Sequence, residues 1–199
     1  AAVSAKPPRC FGAASMAPGR ACVNPALDGM LVPDTTAVRR DDASYAGCRS
    51  SNRAKDTCVF GDRDDPSLPH VVVLGDSHAR SVLPPFVTLA KQGKIFLMAQ
   101  VKGGCNWSTN PHPNDDRAIA DDCYQWRDSV NAWLDANADD IDLVVTTALA
   151  HPDPASGPSE QVAGFAETWR TMTDRGIPVA AIRDNPFHSS DTNTCLARE

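Results

Sequence analysis

The run His70-Val71-Val72-Val73-Leu74-Gly75-Asp76-Ser77-His78-Ala79 constrains the fold more than any other stretch of the chain. The unbroken apolar segment Val71–Leu74 predicts a buried strand. A Gly-Asp-Ser turn follows, and then a helix. Ser77 therefore stands at the C-terminal end of a strand, where open α/β sheets build their sites. Its backbone N–H lies near a helix N-terminus, where negative charge is stabilised. A serine nucleophile needs an exposed hydroxyl and a donor aimed at the oxyanion that forms after attack. The competing reading is an ordinary turn with Ser77 as a helix N-cap. The position after a continuous apolar strand favours the nucleophile.

From residue 70 onward, strand and helix patterns alternate. The first strand is His70–Leu74. A helix follows within Arg80–Gln92, with Pro84 and Pro85 marking its start and Gly93 its end. The second strand is Ile95–Val101, and the loop Lys102-Gly103-Gly104-Cys105-Asn106-Trp107 leads on to about residue 117. A helix over Ala118–Ala136 carries Ile119, Cys123, Trp126, Val130, Trp133 and Leu134 on one stripe. Its tryptophans read as core rather than as ligand stackers. The third strand is Ile141–Thr147, and a loop with His151, Pro152 and Pro154 follows. Ser159 caps a helix to Arg175, which Gly176 stops. The fourth strand is Ile177–Ile182, running into Arg183-Asp184-Asn185-Pro186-Phe187-His188. This alternation argues for an α/β chain with a flavodoxin-like, doubly wound parallel sheet. The strand and helix that would complete such a sheet after residue 188 are absent.

Residues 1–68 have no sustained period of either kind and are rich in proline. So long an irregular stretch counts against a compact fold unless it is cross-linked. The chain has seven cysteines, and none forms a Cys-x-x-Cys pair, so zinc is not expected. Sequential pairing gives Cys10–Cys22, Cys48–Cys58 and Cys105–Cys123, all short loops, although other connectivities are open. Residues 1–68 read as a disulfide-stapled, loop-rich extension and residues 69–199 as the main domain. Cysteines in such contexts point to an oxidising, extracytoplasmic compartment. Cys195 is left over, which suggests a partner beyond Glu199.

At 199 residues the chain can hold one good core. The net charge of −6, with no basic run, argues against nucleic acid as a partner. No apolar run approaches the ~20 residues of a membrane span, and no signal-peptide pattern opens the chain. No phosphate-cradling glycine loop is present, and no metal or other cofactor is expected. Low lysine with abundant Ala, Asp and Arg points to a high-GC, actinobacterial source.

A serine nucleophile needs a base. His78 adjoins Ser77, but neighbouring residues diverge at a strand-to-helix turn. It reaches a bound substrate more easily than Ser77 itself, and with Asp76 it is a candidate substrate contact. His188 follows the fourth strand, on the same sheet edge as Ser77, with Asp184 or Asp191 able to orient it. His151 follows the third strand. For each histidine, a loop side chain facing water is the plainer reading.

Gly75-Asp76-Ser77 after an apolar strand resembles the first block of the SGNH (GDSL-type) hydrolases. The wider run Val71–Ala79, Gly104-Cys105 after the second strand, and Asp184-Asn185-Pro186 with Cys195 after the fourth resemble one branch of that superfamily. This branch is the SGNH domain fused to bacterial acyltransferase-3 membrane proteins. The resemblance implies an SGNH hydrolase fold and O-acyl transfer, usually of acetyl, to cell-envelope glycans or glycolipids. An acyltransferase-3 membrane domain would deliver the acyl group, a sugar hydroxyl would accept it, and the parent protein would tether the domain to the membrane. By position, Ser77 would be the nucleophile. Its N–H and that of Gly104 (or Gly103) would form the oxyanion hole.

Two features depart from that pattern. The family's Gly-x-Asn block should follow the third strand, where this chain reads Thr146-Thr147-Ala148-Leu149-Ala150-His151. No histidine has an aspartate three residues before it, so the catalytic Asp-x-x-His is missing. With the absent strand and the odd cysteine, this suggests that the chain stops before the protein does. The competing idea makes His188 with Asp184 or Asp191 the base. Two other functions stay open. One is a carbohydrate O-acetyl esterase using the same intermediate with water as acceptor. The other is a binding domain of the envelope that has lost its base.

Overall fold

The computed structural model describes residues 9–11, 19, 22–29, 48, 58–113, 116–149 and 158–184. The chain divides into two compact units, Ala1–Ser44 with His188–Glu199, and Tyr45–Phe187. In the first, Cys10 is bonded to Cys22. Asn24 caps a short 3-10 turn, Pro25–Leu27, and its side-chain amide donates to the Arg9 carbonyl at 2.9 Å.

The second unit carries one five-stranded sheet, in the order β1-β3-β2-β4-β5. Its strands are β1 (Cys58–Phe60), β2 (His70–Gly75), β3 (Phe96–Val101), β4 (Leu143–Thr147) and β5 (Val179–Ala181). Strands β3, β2, β4 and β5 are parallel, and β1 runs antiparallel beside β3. The parallel strands follow the flavodoxin-like order, in which the chain steps to one side of its first strand and then to the other.

Four helices connect the parallel strands. These are α1 (Ser77–Ser81), α2 (Leu83–Lys91), α3 (Arg117–Ala136) and α4 (Pro158–Thr173). Alternate residues of β2 serve opposite layers, because successive side chains of a strand point to opposite faces. Val71 and Val73 pack with Ala79, Leu83 and Val87 of α1 and α2. Val72 and Leu74 pack with Cys123, Trp126, Val130 and Leu134 of α3, and with Met172 of α4. Burial on both faces is why this strand is apolar without interruption. No helix among the described residues is long and apolar enough to cross a membrane.

The structure corrects several expectations. Among the described residues the sheet has one strand that the sequence did not reveal, β1, an antiparallel edge strand ahead of β2. It lies inside the stretch read as extension, so the expected boundary at residue 69 falls between two strands of one sheet. Three residues are too few for a period to register. Cys58 is tied to Cys48 and Phe60 packs on the core, which holds the strand in place.

The helix expected after Ser77 is two helices. Pro85 cannot continue α1, because its ring would meet the Ser81 carbonyl. The chain breaks at Val82 and restarts with both prolines in the first turn of α2. Helix α4 begins at Pro158, so Ser159 lies within it rather than capping it. Ile119 is exposed, off the buried stripe of α3. Strand β5 is shorter than the expected 177–182, although Ile177 is still buried.

Candidate active site

The site begins with a glycine that the sheet demands. Gly75 ends β2 at φ +142°, where a Cβ would run into the Thr147 carbonyl oxygen of β4. Only glycine tolerates both the dihedral and the approach. Asp76 follows as the N-cap of α1. One carboxylate oxygen accepts from the His78 N–H at 2.8 Å, and the other accepts from the Leu149 N–H at 2.8 Å. The side chain thus ties the turn after β2 to the turn after β4, across the point where the strand order reverses. Asp76 was expected among the substrate contacts. It is only 2% exposed, and both its oxygens accept from backbone amides that belong to the two turns.

Ser77 is the first residue of α1 and is half-buried. Strand β3 lies alongside β2 in register, Gly75 opposite Val101, and the Lys102 N–H donates to the Gly75 carbonyl at 3.0 Å. The Lys102–Cys105 turn therefore leaves the sheet beside the Ser77 turn. It is closed by a bond from the Cys105 N–H to the Lys102 carbonyl at 3.1 Å, with Gly104 at φ +73°. That left-handed position favours glycine. The structure brings Ser77, Gly103 and Gly104 to one edge of the sheet.

Helix α3 fixes this turn through the expected Cys105–Cys123 bridge and through polar contacts that sequence reasoning missed. Cys123 is bonded to Cys105. Lys102 pairs with Asp122 at 2.5 Å. Arg127 donates to the Asn106 carbonyl at 2.8 Å and to the Asn110 carbonyl at 2.6 Å. The Tyr124 hydroxyl accepts from the His112 N–H at 3.0 Å, and His112 Nε2 donates to the Gly104 carbonyl at 2.9 Å. Burial pulls the Arg127 guanidinium below its ordinary range, opposed by Tyr124. The signal available in the sequence was a charged residue at a core-facing position of α3, next to Trp126.

The histidines divide by position. His70 sits at the far end of β2, with Nδ1 bonded to the Asp140 carbonyl at 2.9 Å. His151, His188, Asp191 and Cys195 lie outside the described residues. Asp184, expected to orient His188, pairs instead with His78, Nδ1 to Oδ1 at 2.6 Å. Residues 106 apart in sequence meet because β5 delivers Asp184 to the same edge. No spacing rule could have found this pair.

The three expected bridges, Cys10–Cys22, Cys48–Cys58 and Cys105–Cys123, are all present. The family model described as the SGNH domain fused to AT3 domains matches residues 42–199. Neither the curated proteins nor the solved structures gave a match.

Proposed function

The chain belongs to the SGNH domains that are fused to acyltransferase-3 domains, and from that premise we propose an extracytoplasmic O-acyltransferase working through an acyl-Ser77 intermediate. Membership supports acyl-transfer or esterase-type chemistry in general, and a membrane acyltransferase-3 domain as partner. That domain supplies the acyl group, and a sugar hydroxyl of the cell envelope accepts it. The disulfides support an oxidising compartment.

One observation carries the reading. Ser77 opens a helix at the C-terminal end of β2, and the Gly103-Gly104 turn leaves the neighbouring strand beside it. In the first half-reaction, Ser77 Oγ attacks the acyl carbonyl, a general base takes the serine proton, and the bond from the acyl carbon to its donor breaks so that the donor group leaves with that proton. The Ser77 N–H and that of Gly104 (or Gly103) meet the developing oxyanion. Each such donor contributes ~10²–10³ in rate. In the second half-reaction, the sugar hydroxyl attacks acyl-Ser77 and serine is released.

The test is labelling of the full-length protein with a fluorophosphonate, followed by acetyl transfer from a chromogenic ester. Ser77 is expected to carry the label, and Ser77→Ala to lose both label and transfer. A wild-type protein that never labels overturns the proposal in favour of a binding domain. Release of acetate to water alone, with none passed to glycan acceptors, makes it an esterase.

A further inference from the structure

The fold accounts for every described glycine but one. Each of the others has a left-handed φ, or a neighbour that an added Cβ would strike, as Gly164 has Asn110. Gly103 has neither. Its φ lies outside the left-handed region, and apart from its chain neighbours no atom of the described residues lies within 4 Å of where its Cβ would stand. It is exposed, in the turn that the Cys105 N–H closes onto the Lys102 carbonyl.

Glycine at such a position weakens a fold. It loses more conformational freedom on folding than any other residue. Alanine is the more stable choice wherever its dihedrals are allowed and its methyl is free. The gap left by the missing side chain therefore serves something other than the packing of the chain.

The position of the turn says what that is. It leaves β3 beside the turn that carries Ser77, joined to it by the bond from the Lys102 N–H to the Gly75 carbonyl. Covalent geometry sets Gly103 Cα next to the N–H groups of both Gly103 and Gly104. An oxygen accepting from either one lies within about 5 Å of that Cα. Only the acyl group stands at that oxygen in both half-reactions, because the donor group leaves before the acceptor arrives.

We propose that Gly103 is a specificity-determining residue, whose missing side chain leaves room over the turn for the acyl chain carried on Ser77. This rests on the acyl-Ser77 reading above. The space admits a chain longer than acetyl, because a methyl added there meets nothing of the described residues.

The experiment uses the full-length protein with p-nitrophenyl acetate and p-nitrophenyl propionate as donors and glycerol as a small polyol acceptor. Nitrophenol release in the first turnover and the mass of the Ser77 peptide report acylation. A pocket that rejects one extra methylene does so by about 10–200-fold. The wild type is expected to stay below that range, taking propionyl within about tenfold of acetyl.

Gly103→Ala keeps every backbone N–H and adds one methyl. Its urea midpoint is expected to hold or rise. Acylation is expected to slow by about threefold with acetate and by about 30-fold or more with propionate, so that the preference narrows to the shorter chain. A midpoint that falls would mean that the fold itself needs this glycine, and overturns the inference. Equal slowing with both esters, or none, overturns it while leaving acyl-Ser77 standing. So does a wild type that rejects propionyl by more than tenfold. Unchanged acylation with slower discharge of acyl-Ser77 by glycerol gives the space to the acceptor instead, and overturns it too. Absence of acyl-Ser77 in the wild type with either ester fails the acyl-Ser77 reading itself.

Discussion

Single residues set the turn that carries Ser77. Gly75 lets β2 close on β4, and Asp76 then stitches the two strand ends together through two backbone amides. An added methyl at residue 75 meets backbone, which cannot swing aside as a side chain can. Gly75→Ala is expected to cost about 1–3 kcal/mol from the dihedral alone, with more from the collision. It should also slow fluorophosphonate labelling of Ser77 by displacing the turn. Urea unfolding and labelling rates check both. An unchanged midpoint would mean that β2 and β4 do not approach as closely as the structure has them.

At the scale of elements, α3 does two jobs with two faces. Trp126, Val130 and Leu134 fill the core against β2 and β3. Asp122, Cys123, Tyr124 and Arg127 hold the loop that carries Gly103 and Gly104. Arg127 is the most exacting of these, because its buried guanidinium donates to two loop carbonyls at once, those of Asn106 and Asn110. Arg127→Met fills similar space without donating. Hydrogen bonds to a charged group are worth about 1.5–3 kcal/mol each. A loss of at least that size is expected in denaturant melts, with slower labelling of Ser77 because the Gly103-Gly104 turn loosens. Stability that falls while labelling holds would show that the loop keeps its shape without the arginine.

At the scale of the molecule, the sheet order gathers the site. Strands β3, β2 and β5 release the Gly104 turn, Ser77 and Asp184 at one edge, although these residues are scattered along the chain. The bridges differ in how deeply the fold covers them. Cys105 and Cys123 are buried, whereas Cys10 and Cys22 are half-buried. Thiol–disulfide exchange needs access to sulfur. In native buffer with reductant and an alkylating agent, Cys105 and Cys123 are expected to label last, as peptide mapping over time would show. Labelling of that pair ahead of Cys10 and Cys22 would contradict its place in the core.

The amino-acid sequence by itself determined the layered α/β plan, the turn that presents Ser77 and the glycine pair of the neighbouring loop, and it favoured the three sequential cysteine pairs that the structure holds. Each of these is local. A doubly buried strand must be apolar throughout, a strained turn must hold glycine, and short loops close cheaply. The sequence could not yield the edge strand Cys58–Phe60, which is too short to show a period and is held by pairing with β3. Nor could it yield the roles of Asp76, Arg127 and Asp184. A carboxylate facing water and one clamped between two amides are the same letter, and only the crossing of strands decides which it is. The meeting of Asp184 with His78 likewise depends on β5 lying beyond β4 from β2. Sheet order is fixed by the packing of helices on both faces, which is non-local and which no window of sequence contains.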